Sequence, residues 1–258
     1  MHCGCRWLIQ FDLKDFFYTI AEPAVCRVFV NLGYKPLLSF ELARLCTTLH
    51  LPKSKKRYIE LNRSFDDSYR DFDDLSSPPY HSQKTIGVLP QGAPSSPMLS
   101  NIVAKKLDEL LFDYAQDNGF VYSRYADDLA FSASDLPSRK TISQIKREII
   151  SLIRKGGFRE NDDKIRIAGP GSKKVVLGLL VDGKAPKLTK QLRKRIDRNI
   201  YSIEKFGIEA VAENDGFESV YGFFNHVSGL MSFIHDVDKQ QWAKLNPRFQ
   251  SIQESLGL

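Results

Sequence analysis

Apolar residues along the chain recur with two different spacings, and each spacing predicts a type of secondary structure. Residues 6–11 form an apolar run typical of a buried strand, which ends at Asp12. Two more short runs, residues 120–124 and 129–133, predict strands joined by Tyr125-Ala126-Asp127-Asp128. Between Ser96 and Gly119, apolar residues recur every three or four positions, so this stretch predicts one long helix.

The order of the remaining elements predicts the fold class. Helices are expected over residues 23–33, 40–49 and 138–155, and strands near residues 164–168 and 174–181. From Thr189 onward the pattern is helical, with breaks near Gly207 and residues 214–216. Strands mixed with helices, followed by helices alone, predict an α+β domain and then a helical region.

Composition excludes several classes of protein. The chain has 258 residues, of which 42% are hydrophobic and 26% charged, so most of it is not intrinsically disordered. The longest clean apolar run, residues 175–181, is too short to span a bilayer. Charged residues around Asp12 stand where a signal peptide needs an apolar stretch, so we expect a cytoplasmic protein without membrane association. The cysteines form no Cys-x-x-Cys pair, which favours reduced thiols.

Three carboxylates provide the candidate chemistry. Asp12 ends one predicted strand, and Asp127 and Asp128 lie in a predicted hairpin tip. If that strand lies beside the hairpin, three anions converge, and a hard cation such as Mg²⁺ offsets their repulsion. Two such ions about 3.5–4 Å apart make a phosphoryl-transfer site. The alternative for each acid is a solvated turn residue, and for Asp-Asp alone this alternative is favoured.

Longer motifs surround these acids and occur in the order seen in one family. They are Phe11-Asp12-Leu13-Lys14-Asp15-Phe16-Phe17, residues 87–101 (GVLPQGAPSSPMLSN), Tyr125-Ala126-Asp127-Asp128, Gly157-Phe158 with Asn161 and Lys164, and Leu177-Gly178-Leu179. From about residue 8 to 186 they resemble the motifs of prokaryotic reverse transcriptases, most closely of the retron type. The resemblance implies an α+β polymerase palm, with an antiparallel sheet and packed helices, followed by a helical thumb.

The resemblance also assigns roles to the acids and their neighbours. Asp12, Asp127 and Asp128, with the Leu13 carbonyl, would hold two Mg²⁺ ions, for which Mn²⁺ can substitute. Phe17 would be a steric gate that leaves no room for a 2′-hydroxyl, and Asp15 and Phe16 would join it in the nucleotide site. The alternative is that Phe16 and Phe17 both belong to the core.

Other motif residues would contact the substrates. Gln91 and Gly92 lie in a turn before a helix, where free backbone N–H groups favour phosphate, and would contact the incoming dNTP. Tyr125 would press on the primer end, although a strand-end Tyr is often only half-buried packing. Lys164 would act as a catalytic residue by protonating or neutralising the departing pyrophosphate; an ordinary exposed lysine is the alternative. Gly178 lies in a strand, residues 176–181, that would grip the primer.

A local stripe of positive charge indicates a polyanionic partner. The net charge is +6, and seven cations against one acid fall within residues 184–198. They are Lys184, Lys187, Lys190, Arg193, Lys194, Arg195 and Arg198. A stripe that opens a helix suits the backbone of a primer–template duplex, while a solvated helix face is the alternative.

The resemblance divides the chain into a reverse transcriptase palm with partial fingers, residues 1–186, and a thumb-like nucleic-acid-binding region, residues 187–258. The polar segment of about residues 50–85 is expected to be an insertion. Only eleven residues precede Asp12, so most of the N-terminal fingers of the family are expected to be absent. Either the chain is truncated or internally started, or another polypeptide supplies the missing part.

The implied activity is RNA-directed DNA synthesis in bacteria, with an RNA template, a DNA or RNA primer and dNTPs. A structured non-coding RNA and a role in phage defence are further implications. Two alternatives stay open: a truncated, catalytically silent nucleic-acid-binding module, and a non-retron defence or abortive-infection reverse transcriptase. The second is kept because Val176-Leu177-Gly178 stands where retron enzymes tend to carry Val-Thr-Gly.

Overall fold

A four-stranded antiparallel sheet organises the first part of the chain. The computed structural model describes residues 1–59, 80, 85–136 and 140–256. The strands of this sheet are β1 (Trp7–Asp12), β2 (Val121–Tyr125), β3 (Asp128–Ala133) and β4 (Arg166–Ala168). They lie in the spatial order β2-β3-β1-β4, so the strand nearest the start of the chain is central. The predicted α+β fold class is confirmed.

Helices pack around this sheet. They are α1 (Phe16–Thr19), α2 (Glu22–Asn31), α3 (Pro36–Cys46), α4 (Ser96–Val103), α5 (Lys105–Asp117) and α6 (Ile142–Lys155), with 3-10 helices at Lys53–Tyr58 and Asp162–Lys164. α6 starts with a capping box, in which Thr141 and Gln144 each satisfy a backbone N–H of the other residue. Most of the predicted insertion, residues 60–79 and 81–84, lies outside the described residues.

One apolar core joins the sheet to these helices. Ile9 and Phe11 of β1 and Leu129 and Phe131 of β3 are almost fully buried, and the rings of Phe11 and Phe131 meet edge to face. Residues from α5 and α6 pack in the same cluster: Leu107, Leu111, Ile145, Ile149 and Ile153. The burial of these side chains fixes the strand register, because a slip by one residue would turn each of them to the opposite face.

The long helix predicted between Ser96 and Gly119 is two helices. α4 ends and α5 begins at Ala104, whose ψ of 3° departs from helical geometry. Ser96, predicted as the N-cap, is the first residue of α4, and its hydroxyl donates to the Pro90 carbonyl at 2.7 Å. This bond ties the start of α4 to the loop that carries Gln91.

The strand predicted over residues 174–181 is a hairpin. β5 (Val175–Val176) and β6 (Leu179–Leu180) pair antiparallel across Leu177 and Gly178. Both turn residues have positive φ angles, 48° and 81°, and a two-residue turn with such angles matches the twist of its flanking strands. Gly178 therefore lies in a turn and not within a strand.

The described chain divides into two compact units by its contacts: Arg6–Pro170, called here the sheet unit, and Gly171–Leu258 with Met1–Cys5, called the helical unit. The helical unit contains β5, β6 and β7 (Lys187–Leu188), then α7 (Lys190–Phe206), α8 (Ile208–Asn214), α9 (Val220–Val237) and α10 (Lys239–Ser255). Leu188 and Leu179 pack into the core of these helices, so the small sheet groups with them and the units divide earlier than residue 186. Among the described residues, none of the helices has the length and apolar character that crossing a bilayer requires.

A close approach between α5 and α6 gives a test of the fold. A Cβ on Gly156 would lie 2.7 Å from Leu107 Cδ1 and 3.1 Å from its Cα, so Gly156→Ala must move the two helices apart. We expect the free energy of unfolding to fall by about 1–3 kcal/mol, measured by urea denaturation.

Gly229→Ala is the matched control for this substitution. Gly229 lies in α9, and nothing comes within 4 Å of the position of an added Cβ. Alanine is favoured over glycine in a helix by up to about 1 kcal/mol, so this variant should be as stable as the wild type or more so. A Gly156→Ala protein of unchanged stability would contradict the described packing.

Candidate active site

Two of the three predicted acids lie directly opposite each other at one end of the two central strands of the main sheet. β1 pairs with β3 in a register that places Asp12 across from Asp128. Opposite residues of an antiparallel pair have Cα atoms about 4.5–5.5 Å apart. The expectation that the strand ending in Asp12 lies beside the hairpin is therefore confirmed.

The third acid, Asp127, lies in the turn between β2 and β3. The turn consists of Ala126 and Asp127, and Ala126 has a φ of 50°, an unusual value for a residue with a side chain. The Leu13 N–H donates to the Asp127 carbonyl at 2.9 Å. The turn is thus attached to the residue that follows Asp12, and all three carboxylates belong to one small region.

Two side chains from the segment after α6 bind the carboxylate of Asp12. Lys164 Nζ lies 2.7 Å from Oδ1, and Asn161 Nδ2 donates to Oδ2 at 3.2 Å. Asn161 also donates its backbone N–H to the Asp12 carbonyl at 2.8 Å. Asp12 is only 8% exposed, whereas the Lys164 side chain is 58% exposed. Both oxygens of this nearly buried acid are therefore satisfied by groups of the chain itself.

The electrostatics show that the acids influence one another. Burial, followed by repulsion from Asp127 and Asp12, raises the pKa of Asp128, and the charges of Lys164 and Arg166 partly oppose this rise. The pKa of Lys164 is raised, first by its hydrogen bond to Asp12 and then by the charges of all three acids. Lys164 is thus a cation held against a cluster of anions.

The donor set fits a hard divalent cation in chemistry, since carboxylate oxygens are the ligands that Mg²⁺ prefers. Over the part of the chain that the structure describes, however, no three His, Cys, Asp or Glu side chains are already arranged to hold a metal ion. Lys164 and Asn161 occupy the oxygens of Asp12. A cation bound by all three acids would therefore share the Asp12 carboxylate with Lys164 and Asn161 or replace one of them.

The predicted nucleotide residues after Asp12 differ in their exposure. Phe16 is 3% exposed and packs against Phe158, with ring centroids 5.3 Å apart, so it belongs to the core. Phe17 is only partly buried. Asp15 has a φ of 53°, and its carboxylate is bound by Lys55 and by the Tyr58 hydroxyl. Burial alone would raise the pKa of Asp15, but these hydrogen bonds lower it.

The loop that carries Gln91 and Gly92 is exposed. In the segment before this loop, Glu22 holds Gly87 in place. The Glu22 N–H donates to the Gly87 carbonyl at 2.8 Å, and Glu22 Oε2 accepts from the Gly87 N–H at 3.2 Å. A Cβ at Gly87 would lie 2.5 Å from Thr47 Oγ1, so only glycine fits there. These contacts set the position from which the loop leaves the core.

The predicted primer and template residues are on the surface. Tyr125 is 67% exposed beside the turn of the sheet unit. In the helical unit Gly178 is exposed at a hairpin tip. The predicted cations of the same unit, which are Lys187, Lys190, Arg193, Lys194 and Arg195, are exposed on β7 and the first turns of α7. Arg195 also contacts His226, at 3.2 Å.

Arg124 and Asp108, which pair with each other near the acids, were not singled out from the sequence. The Arg124 side chain is 6% exposed and pairs with Asp108 of α5. Arg124 directly precedes Tyr125, and its alternation with Tyr122 puts a charge on a face of β2 that also carries an aromatic ring. A charged residue at such a position requires a partner, and this was the available signal.

Comparisons with known proteins agree with the motifs. Residues 2–180 match the family described as reverse transcriptase (RNA-dependent DNA polymerase). The Retron Ec86 reverse transcriptase of Escherichia coli is 28% identical over 256 residues, which are 99% of this chain and 63% of that protein. The Retron Mx65 reverse transcriptase of Myxococcus xanthus is 28% identical over 247 residues, or 96% of this chain and 50% of that protein. The predicted resemblance to retron-type reverse transcriptases is confirmed.

This chain thus spans 63% and 50% of the lengths of these two relatives. Among solved structures, a foamy viral protease-reverse transcriptase in complex with double-stranded DNA matches 97% of this chain and 31% of its own. The identity is 14% and the TM-score is 0.46.

The charge of Lys164 gives a prediction for the acids. Lys164 lowers the pKa of Asp128, so Lys164→Met should raise that pKa further above its ordinary value of 3.8. An acid whose pKa is raised in the folded state binds more protons folded than unfolded. The stability that Asp128 contributes therefore falls as the pH rises from the ordinary pKa of the acid to its raised pKa in the folded protein. Lys164→Met should extend this pH range upward. Carboxyl ¹³C NMR against pH measures the pKa directly.

Lys105→Met serves as the control, because Lys105 lies on α5 and forms an exposed pair with Glu109 at 3.7 Å. It should leave the titration of Asp128 unchanged. The described geometry would be contradicted by an Asp128 pKa that is the same in Lys164→Met and in the wild type.

Proposed function

Because the chain belongs to the reverse transcriptase (RNA-dependent DNA polymerase) family, we propose that it catalyses RNA-directed DNA synthesis. A primer 3′-hydroxyl loses its proton to solvent and attacks the α-phosphorus of a dNTP, the bond from that phosphorus to the bridging oxygen of the β-phosphate breaks, and pyrophosphate leaves. The observation that supports this proposal most directly is the register of β1 and β3, which sets Asp12 opposite Asp128 next to the turn that carries Asp127.

The acids and Lys164 have distinct tasks in this proposal. Asp12, Asp127 and Asp128, with the Leu13 carbonyl, would hold two Mg²⁺ ions, or Mn²⁺ in their place. When bound, the ions favour deprotonation of the attacking hydroxyl and stabilise charge on the leaving oxygens. Lys164, whose partly exposed ammonium lies beside Asp12, would donate a proton to the departing pyrophosphate. A partly exposed lysine carries its proton at neutral pH, because the ordinary lysine pKa of about 10.4 lies far above 7.

The nucleotide site is proposed to lie between the segment after Asp12 and the loop of Gln91 and Gly92. Phe17 is only partly buried, whereas Phe16 is enclosed in the core, so Phe17 is the candidate steric gate. Asp15 acts through the cations bound to it, Lys55 and Arg57, which can turn from the carboxylate to a phosphate. Gln91 and the backbone of Gly92 are exposed to an incoming nucleotide.

The duplex is proposed to bind to the exposed cations of β7 and α7 and to the hairpin that contains Gly178. Seven positive charges within residues 184–198 can release counterions from phosphates, so binding should weaken steeply with salt. Tyr125 would contact the primer end. This surface also supports the second candidate function, a nucleic-acid-binding module that does not polymerise.

The biological setting is proposed from the relatives. Retron reverse transcriptases of bacteria are among them, and we propose a bacterial cytoplasmic enzyme that has a structured non-coding RNA as partner and serves phage defence. Because the chain spans 63% of one relative and 50% of another, we also propose that further fingers residues, from this or another polypeptide, complete the template surface.

Asp127→Asn tests the proposed activity. The substitution keeps the shape of the side chain but removes the charge of a metal ligand, so primer extension on an RNA template with dNTPs and Mg²⁺ should fall by at least about 100-fold. Asp113→Asn, at an exposed position of α5, is the control and should keep wild-type activity.

Two outcomes would decide against the proposal. Wild-type rates in Asp127→Asn would remove this acid from the metal site. Salt-dependent duplex binding by a wild-type chain that incorporates no nucleotide would favour the silent binding module.

Phe17→Ala tests the gate. Without the ring, a 2′-hydroxyl meets no obstruction, so the ratio of rNTP to dNTP incorporation should rise by about tenfold or more. Phe112→Ala removes an exposed aromatic ring from α5 and should leave this ratio unchanged. Unaltered discrimination in Phe17→Ala, with synthesis retained, would exclude a gate at this position.

A further inference from the structure

We propose that Arg124 is a positioning residue for the candidate active site. Its guanidinium fixes the turn of Ala126 and Asp127, which leads into Asp128, in position relative to α4 and α5. The inference rests on the proposed function, because the importance of aiming these carboxylates follows from the reaction. Arg124 touches no substrate in this proposal and acts through the turn alone.

The base of this arrangement is a pair of hydrogen bonds between β2 and α5. Arg124 Nε donates to Asp108 Oδ1 at 2.7 Å, and Arg124 Nη2 donates to Asp108 Oδ2 at 2.6 Å. The Tyr122 hydroxyl donates to Asp108 Oδ1 at 2.8 Å. A bidentate pair fixes both the position and the plane of a guanidinium. The plane of Arg124 is therefore set by a helix that lies outside the hairpin.

The remaining terminal nitrogen faces the turn. Arg124 Nη1 donates to the Ala126 carbonyl at 3.1 Å and to Asn101 Oδ1 at 3.0 Å. Ala126 is the residue with a φ of 50° that precedes Asp127. Such a backbone conformation persists only where surrounding contacts enforce it, and the bond from Arg124 is a contact of this kind. Asn101 belongs to α4, which follows the loop of Gln91 and Gly92.

The guanidinium also contacts the segment after Asp12. Its central carbon lies 5.7 Å from the ring centroid of Phe16, the first residue of α1. One side chain thus meets the hairpin, α4, α5 and α1. Lysine has a single nitrogen that can approach only part of this set, whereas arginine directs five N–H groups in a plane.

A purely structural role would lower stability without affecting a particular kinetic constant. A positioning role predicts that the chemical step slows while dNTP and duplex binding are kept, because Gln91, Phe17 and the exposed cations of α7 remain in place. The two roles are separated by kcat, the KM for dNTP, the Kd for primer–template and the melting temperature, measured on the same variants.

The first variant is Arg124→Lys, which keeps the charge beside Asp108 but loses the bidentate geometry of the guanidinium. We expect kcat for single-nucleotide addition to fall by about 10- to 100-fold, with KM and Kd changed less than about threefold. Arg248→Lys is the matched control. Arg248 makes a similar bidentate pair with Glu204, at 2.8 and 2.5 Å, in the helical unit. The kcat of the Arg248→Lys variant should stay within about twofold of the wild-type kcat.

The second variant protects the test against misfolding of the first. Asn101→Ala removes one acceptor of Arg124 from an exposed position, so the melting temperature should hardly change. The loss of one hydrogen bond should lower kcat by about two- to tenfold. In the double variant the two losses should not multiply, since both act on the same guanidinium.

Mn²⁺ binding, followed by electron paramagnetic resonance without nucleotide, separates this inference from the proposed function. Arg124→Lys should bind Mn²⁺ about 10-fold more weakly than the wild type. If the wild type binds Mn²⁺ but makes no DNA, the proposed function fails and the comparison of Mn²⁺ affinities still decides the role of Arg124. If the wild type binds no Mn²⁺, both proposals fail.

Three results would overturn the positioning role. The first is wild-type kcat and Mn²⁺ affinity in a folded Arg124→Lys. The second is a loss confined to KM or to the Kd for primer–template. The third is an Asn101→Ala variant that retains full kcat while Arg124→Lys merely melts earlier.

Discussion

The antiparallel pairing of β1 with β3 is the constraint on which the candidate site depends. It places Asp12 opposite Asp128, although like charges across a strand pair are destabilising. The pairing is maintained by the rest of the two strands, where Ile9, Phe11 and Phe131 are buried in the core. A shift of register would separate the acids but would also turn these side chains out of the core, and the second cost is the greater one.

The same pairing explains why other side chains of the protein bind the carboxylate of Asp12. A nearly buried carboxylate needs partners, and Lys164 and Asn161 supply them to Asp12 from a segment more than a hundred residues away in sequence. In the structure Lys164 neutralises part of the charge of the acids through Asp12, and in the proposed reaction it acts on the departing pyrophosphate.

Unusual backbone conformations lie next to the acids and are held by side-chain contacts. Ala126 and Asp15 both have positive φ angles. The first is bound by Arg124 through its carbonyl, and the second by Lys55 and Tyr58 through its carboxylate. Conformations of this kind tend to occur at functional sites, where the surrounding structure enforces them. The groups that bind Asp15 lie 40 and 43 residues further along the chain, and Arg124, two residues before Ala126, is itself fixed by Asp108 of α5.

The sequence by itself determined the short-range features. Periodicity and the placement of Thr189 and Gly207 predicted the helices of the second unit, because caps and amphipathic spacing act within a few residues. The motifs identified the three acids and the family. The break at Ala104 had no such signal, since alanine favours helices, and it is a feature of the folded chain.

Only the tertiary structure decided which groups meet the acids. The partners of Asp12 and the contacts of Arg124 are separated along the chain, and many pairings of the same residues are compatible with the motifs. Topology selects one pairing because a single strand order and register buries the apolar faces of β1 and β3 together.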